Sequence, residues 1–194
     1  MPETTIAAGP LLHRHLEANA QTAAVNEWTV ATQYPSVTSE NRLIDCSHWT
    51  MAEVQSRNLA ASLSAICGLL PGICRFKSVG DWVVYQLTAE RAVVAGLSGG
   101  GEAIEVSGGW AAIVVKGPNS LDILSHITAL DLRPDEFPEG ACKQGPVFGV
   151  NTLVANRGDH YELHACPDSL EFLWDALLDA GRAYDLQPAG IEQM

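Results

Sequence analysis

Residues 117–140, the most clearly patterned stretch of the chain, read GPNSLDILSHITALDLRPDEFPEG. A Gly-Pro-Asn turn opens the stretch, and the apolar positions after it recur at helical spacing, which predicts a short helix over 120–127. An extended acidic run comes next, closed by Pro138 and Gly140. Upstream, WAAIVVKG at 110–117 predicts a buried strand. The stretch therefore predicts a strand–turn–helix unit that leads into a loop.

The same order of strand and helix recurs near 43–70 and 159–180, with hairpins predicted at 80–96 and 145–166. Ser56 is the predicted cap of the helix over 56–70, and Asp168 or Ser169 that of the last helix. Hairpins mixed with strand–helix units indicate an α+β fold, with helices on one side of antiparallel sheets. Residues 36–194 are predicted to form one domain, and residues 1–35 an N-terminal arm with a short helix.

Composition limits the classes of function. The chain has 194 residues, 47% of them hydrophobic, and a net charge of -12. Enough apolar surface is present for a core, whereas nucleic acid and anionic membranes both require a basic surface. No apolar run is long enough to span a bilayer, and we expect no signal peptide. The five cysteines are widely spaced, which favours reduced thiols and a cytoplasmic location.

Several polar motifs could carry chemistry. Strand alternation places the potential metal ligands of HYELHAC on one face, namely His160, Glu162, His164 and Cys166. Such ligands are spread along a strand by about 6.5–7 Å per two residues, so we expect no metal and a polar face at solvent or at a partner. DCSHW at 45–49 is expected to be a strand end, and SGGG at 98–101 a flexible loop.

The stretch at 117–140 and the residues C-terminal to it resemble the gamma subunit of heterotetrameric sarcosine oxidase. The motifs that carry the resemblance are, in order, GPNSLDIL, ALDLRPDEFPEG, GVNTLV, HYEL and LWDALLDAG. These gamma subunits are similar in turn to the folate-binding domain of the glycine-cleavage T-protein, an aminomethyltransferase, through LIDCSHW and VVKGPNS. The resemblance implies a single domain of two antiparallel sheets with flanking helices.

The departures from the T-protein pattern concern its acids. Asp81, beside Gly80, is all that remains of an Asp-Asp pair, and Asp159 or His160 stands where a pterin-binding Glu is found. The resemblance therefore implies no catalytic residue, with Asp81 as the candidate if the chain is an enzyme. Asp81, Asp159 and His160 are the candidate folate contacts. The resemblance implies that this chain binds no cofactor and that flavins and NAD are bound by partner subunits. Whether the chain binds tetrahydrofolate is left open.

The resemblance implies a non-catalytic gamma subunit that packs on the alpha subunit of a complex with alpha and beta partners. Such a complex oxidatively demethylates N-methyl amino acids. Two alternatives are a short tetrahydrofolate-dependent aminomethyl or methyl transferase and a self-associating binding module. The predicted interface joins the acidic loop to the strand that starts at Phe148, with Phe137 as its anchor; its members are Asp131, Arg133, Asp135, Phe137 and Phe148.

Overall fold

The computed structural model of the chain describes residues 7–194; the first six residues of the predicted arm lie outside them. In chain order, the elements are β1 (Ala7–Ala8), α1 (Leu12–Glu17), β2 (Gln21–Val25), β3 (Trp28–Gln33), β4 (Arg42–Asp45), β5 (Met51–Gln55), α2 (Leu59–Cys67), β6 (Arg75–Val79), β7 (Trp82–Gln86), β8 (Arg91–Ala95), β9 (Ile104–Glu105), β10 (Ala111–Lys116), α3 (Ser120–Ser125), β11 (Cys142–Val147), β12 (Val150–Asn156), β13 (His160–Ala165), α4 (Leu170–Ala180) and β14 (Gln187–Ala189).

A six-stranded sheet forms the centre of the molecule, in the order β11-β12-β13-β10-β4-β14. Its neighbours are antiparallel except for β14, which runs parallel to β4. The central strand β10 is apolar at nearly every position because both of its faces are covered. Ile113 and Val115 point into the main core, while Ala112 and Val114 lie in a second cluster on the opposite face.

A five-stranded antiparallel sheet, in the order β6-β7-β8-β5-β9, packs on the central one. Side chains from the two sheets, among them Met51, Tyr85, Val93 and Leu153, form the cluster between them. The two sheets are also joined at their edges, where the Phe76 amide donates to the Gly140 carbonyl at 3.0 Å.

The α-helices cover the outer faces of these two sheets. Helix α4 buries Leu170, Leu173, Trp174 and Leu177 against the central sheet, as its apolar spacing predicts. The predicted α+β fold is confirmed. The predicted caps are not: Asn58, not Ser56, accepts from the Ala61 amide at the start of α2, and α4 begins without a side-chain cap bond.

The N-terminal residues of the described chain form a third, small sheet, in the order β1-β3-β2. The short predicted helix is present as α1, and Leu11, just before it, is fully buried in the main core. The buried His15 on α1 bonds Asp45 of β4 at 2.9 Å. The boundary predicted near residue 35 stays a prediction, although these contacts tie residues 7–33 closely to the rest. None of the helices in residues 7–194 is long and apolar enough to cross a membrane.

Candidate functional site

An open cleft of about 860 Å³ lies where the two larger sheets meet the β2–β3 turn and the last residue of the chain. The β6–β7 turn, strand β7, the β12–β13 turn and strand β13 contribute its polar lining. The side chains that matter for its chemistry are Asp81, Tyr85, Arg157, Asp159, His160 and Glu162.

Glu162 is the buried acid at the base of the cleft, with 1% of its surface exposed. Its Oε2 accepts from the Tyr85 hydroxyl at 2.5 Å, and its Oε1 accepts from Arg157 Nε at 2.7 Å. Burial alone would raise the pKa of Glu162, but the neighbouring His160 and His164 and the charge of Arg157 hold that pKa well below its ordinary value. Both oxygens of the Glu162 carboxylate therefore accept a hydrogen bond from another side chain of the cleft.

Arg157 covers Glu162 on the side of the cleft. Its guanidinium lies over the Phe76 ring, 4.6 Å from the centroid, and donates from Nη1 to Ser78 Oγ at 3.1 Å. A cation held by three partners from two sheets is fixed in place. The Tyr85 hydroxyl closes the other side, and burial followed by the charge of Glu162 raises the pKa of Tyr85 well above its ordinary value.

Two histidines near the cleft have unbonded ring nitrogens. His164 is fully buried, and neither of its nitrogens has a hydrogen-bond partner in residues 7–194. Its Nε2 lies 3.6 Å from Glu162 Oε2, too far for a hydrogen bond, and its ring packs on Tyr85 with 5.3 Å between centroids. His48 Nδ1 likewise has no hydrogen-bond partner within residues 7–194. Burial lowers the pKa of His48, and the charge of Asp45 partly offsets this by raising it.

The three candidate residues predicted from the sequence all line this cleft. Asp81 comes directly after Gly80 in the β6–β7 turn. Asp159 is 63% exposed; its carboxylate accepts from Lys116 Nζ at 3.0 Å and lies 2.7 Å from His160 Nδ1. Bonds from Lys116, then from His160, lower the pKa of Asp159. Asp159 and His160 are thus paired with each other at the rim.

The prediction that the polar face of β13 lies at solvent or at a partner surface is wrong. Glu162 and His164 face the space between the sheets and are buried, while Cys166 lies beyond the end of β13 and is exposed. Within residues 7–194, no three His, Cys, Asp or Glu side chains group closely enough to hold a metal ion. Sequence reasoning missed the hydrogen bonds from Arg157 and Tyr85 to Glu162. The available signal was Arg157, which precedes Glu162 by five residues across a hairpin turn and could have been paired with it.

The predicted interface segment is a compact turn instead of an extended run. The Phe137 amide donates to the Arg133 carbonyl at 2.7 Å, and the ring of Phe137 is 3% exposed within the main core. Phe137 is therefore not an accessible anchor, because its apolar surface is already buried by its own chain. Asp131 and Arg133 pair with each other on the surface, where Asp135 is also exposed.

Phe148 does lie at the surface, with 37% of its area exposed. Its ring meets that of Phe172 on α4 edge to face, with 6.4 Å between centroids, and Phe172 is 56% exposed. Whether these aromatic rings and the acidic loop contact a partner stays a prediction.

Comparison with known proteins relates the chain to one family. The family model described as the GCVT N-terminal domain matches residues 76–194. An aminomethyltransferase of Desulfitobacterium hafniense (strain DSM 10664 / DCB-2) is 24% identical over 97% of this chain and 62% of its own length. One of Streptomyces avermitilis is 30% identical over 93% of this chain and 58% of its own. The chain thus spans about three-fifths of these relatives.

Two solved structures share the fold. Aminomethyltransferase T of the glycine cleavage system from Bartonella henselae superposes with a TM-score of 0.76 at 17% identity, over 96% of this chain and 60% of that one. A chain of the heterotetrameric sarcosine oxidase from Corynebacterium sp. U-96 gives a TM-score of 0.69 at 16% identity, over 91% of this chain and 95% of that one. The resemblance found in the sequence is confirmed by these comparisons.

Proposed function

Because this chain belongs to the GCVT N-terminal domain family, we propose that it is a non-catalytic, gamma-type subunit of a cytoplasmic complex of the sarcosine oxidase type. The domain itself is of the folate-binding type. In this proposal the complex oxidatively demethylates N-methyl amino acids, with flavins and NAD on alpha and beta partner subunits. The chain packs on the alpha subunit and binds no cofactor.

The observation that carries the proposal is that Glu162 is buried and that both of its carboxylate oxygens are already hydrogen-bonded. A pterin ring offers N–H donors, so a site for it needs a carboxylate that is open to the cleft. The two carboxylate oxygens of Glu162 accept hydrogen bonds from Tyr85 and Arg157, and the residue is 1% exposed. A ligand would therefore have to displace Arg157 to reach this carboxylate. Breaking a buried charge pair costs about 3–5 kcal/mol. The internal pair therefore opposes folate binding at this acid.

The acids that do face solvent are poor substitutes. Asp159 is already paired with Lys116 and His160, and its high exposure weakens any bond to a ligand through competition with water. Asp81 is then left as a single acid in an open turn. The fold match over nearly the whole of a sarcosine oxidase chain also supports a subunit role.

Copurification tests this proposal directly. A tagged chain expressed in its native source should retain large flavin-containing subunits and oxidise an N-methyl amino acid such as sarcosine. The Asp81→Asn complex should keep the same kcat. A chain that purifies alone or only as a self-associated oligomer, or a complex that Asp81→Asn inactivates, would refute the proposal.

The second candidate is a tetrahydrofolate-dependent aminomethyl or methyl transferase. The open cleft favours it, since about 860 Å³ is ample for a pterin and Asp81 lies at the rim. Titration calorimetry of the full chain with tetrahydrofolate separates the two candidates. A dissociation constant in the low micromolar range, about -8 kcal/mol, that is lost in Asp81→Asn and kept in Glu105→Gln would establish the enzyme. Glu105 is a suitable control because it is exposed on β9 and does not line the cleft.

A further inference from the structure

Two of the five thiols lie opposite each other where the edges of the two larger sheets meet. Arg75 of β6 and Ala141, just before β11, form an antiparallel bridge. Beside that bridge, the Cys142 amide donates to the Cys74 carbonyl at 2.9 Å. Cys74 and Cys142 are therefore neighbours across this junction, joined by one backbone bond, while the Cys74 amide donates to the Gln86 carbonyl at 2.8 Å. Opposed residues of an antiparallel pair have Cα atoms about 4.5–5.5 Å apart. Disulfides most often span about 5.5–6 Å between Cα atoms.

The two cysteines also share one small cavity of about 220 Å³, open at the surface. Cys74 is partly exposed and Cys142 fully buried, while Arg75 and Lys143 on the flanking positions are exposed. Burial, together with the charge of Cys74, raises the pKa of the Cys142 thiol to about 12, with Arg75 opposing. That the charge on one thiol acts on the other agrees with their closeness.

The other three cysteines have no comparable neighbour. Cys46 and Cys67 are buried in separate hydrophobic clusters, and Cys166 is exposed beside the start of α4. The backbone pairing selects the Cys74–Cys142 pair alone among the five.

We propose that Cys74 and Cys142 are a redox-active pair that closes reversibly into a disulfide by exchange with an anionic low-molecular-weight disulfide such as oxidised glutathione. In the first step the Cys74 thiolate attacks one sulfur of the reagent, a mixed disulfide forms, and one glutathione thiolate leaves. In the second step Cys142 loses its proton and attacks the Cys74 sulfur, which releases the second glutathione. The reagent takes up two electrons and two protons in all, and the protein loses two hydrogen atoms.

The order of attack is set by exposure and charge. Cys74 is accessible, and the cations of Arg75 and Lys143 beside it attract the carboxylates of glutathione. Cys142 is buried, so it is a slow attacking group that acts only on a neighbour already joined to a leaving thiol. The second step should therefore limit the rate.

The disulfide would link the residue just before β6 of one sheet to the first residue of β11 in the other. The turn that contains Glu136 and Phe137 lines the same cavity. Closure of the pair would hold this turn against both sheets, so its opening motions should be reduced in the oxidised protein.

The test is to incubate the native full chain with oxidised glutathione and map its peptides without reduction. Free thiols, counted after denaturation, should fall from five to three, and a cross-linked peptide pair should contain Cys74 and Cys142. Dithiothreitol should restore all five thiols. The oxidised protein should also melt at a higher temperature than the reduced one.

Three variants complete the test. Cys142→Ser should stop at a stable glutathione adduct on Cys74, and Cys74→Ser should lose both the cross-link and the gain in melting temperature. Cys166→Ser is the matched control and should leave the cross-link unchanged. A chain that retains five thiols, carries glutathione on Cys166 alone, or forms the Cys74–Cys142 link only after denaturation would overturn the proposal.

Discussion

Replacing Phe137 by alanine should destabilise the isolated chain. The ring is 3% exposed and belongs to the main hydrophobic core, although Glu136 and Pro138 on either side of it point to a surface loop in the sequence. The Phe137 carbonyl also accepts from Asn156 Nδ2 at 2.8 Å, and that bond should survive because it involves the backbone oxygen. The substitution therefore removes packing and leaves the hydrogen bonding of the turn intact.

Burial sets the expected size of the effect. Truncating a buried phenylalanine to alanine costs about 3–5 kcal/mol. Phe137 also borders the small open cavity beside Cys74, where water can enter, so we expect a value near 3 kcal/mol. At about 2.1 cal/mol/K per residue, 194 residues have an unfolding entropy of about 0.4 kcal/mol/K. The melting temperature should then fall by about 7 °C.

Scanning calorimetry of the isolated chain measures this shift, and Phe172→Ala is the control. Phe172 is the same residue type but 56% exposed, so its replacement should change stability by about 0.5 kcal/mol or less. An unchanged melting temperature in Phe137→Ala, combined with loss of copurifying subunits, would refute the assignment to the core. It would also restore the interface role that the sequence suggested.

The remaining predictions concern the buried polar groups and metal content. Glu162→Gln should lower the free energy of unfolding at neutral pH by about 3 kcal/mol, because Arg157 loses its buried partner. Since folding lowers the pKa of Glu162, its contribution is full above the ordinary carboxylate value of about 4.3 and is lost at lower pH; the variant should therefore lose less stability in acid, as urea midpoints would show. His15→Ala should leave Asp45 Oδ2 without its buried partner, although Ser47 still bonds Oδ1, and should speed proteolysis of residues 7–33. The exposed His13 gives the control His13→Ala, which should have little effect; equal proteolysis of both variants would contradict this. Elemental analysis of the chain purified without chelators should find no stoichiometric zinc, and one zinc per chain would disprove that prediction.

Patterns within one element were predictable from the sequence, and contacts between elements were not. The apolar stripe of α4 and the alternation of β13 are encoded in local spacing, so both elements could be predicted from the sequence. Alternation also placed Glu162 and His164 on one face, but only the second sheet determines that this face is buried. The turn at Phe137 depends on where its backbone bonds form. The pairing of Cys74 with Cys142 depends on how two sheet edges meet, for which spacing along the chain gives no signal.

The buried acid of the cleft links stability to the proposed loss of ligand binding. A carboxylate reserved for a ligand is costly while the site is empty, because its desolvated oxygens then lack partners. In this chain Arg157 and Tyr85 supply those partners internally, and Arg157 is itself held by Phe76 and Ser78. The empty fold is thereby stabilised, and a ligand gains little by competing. In the proposed subunit, the function of the domain is then to bind a partner through its outer surface, where Phe148 and Phe172 form an exposed aromatic pair.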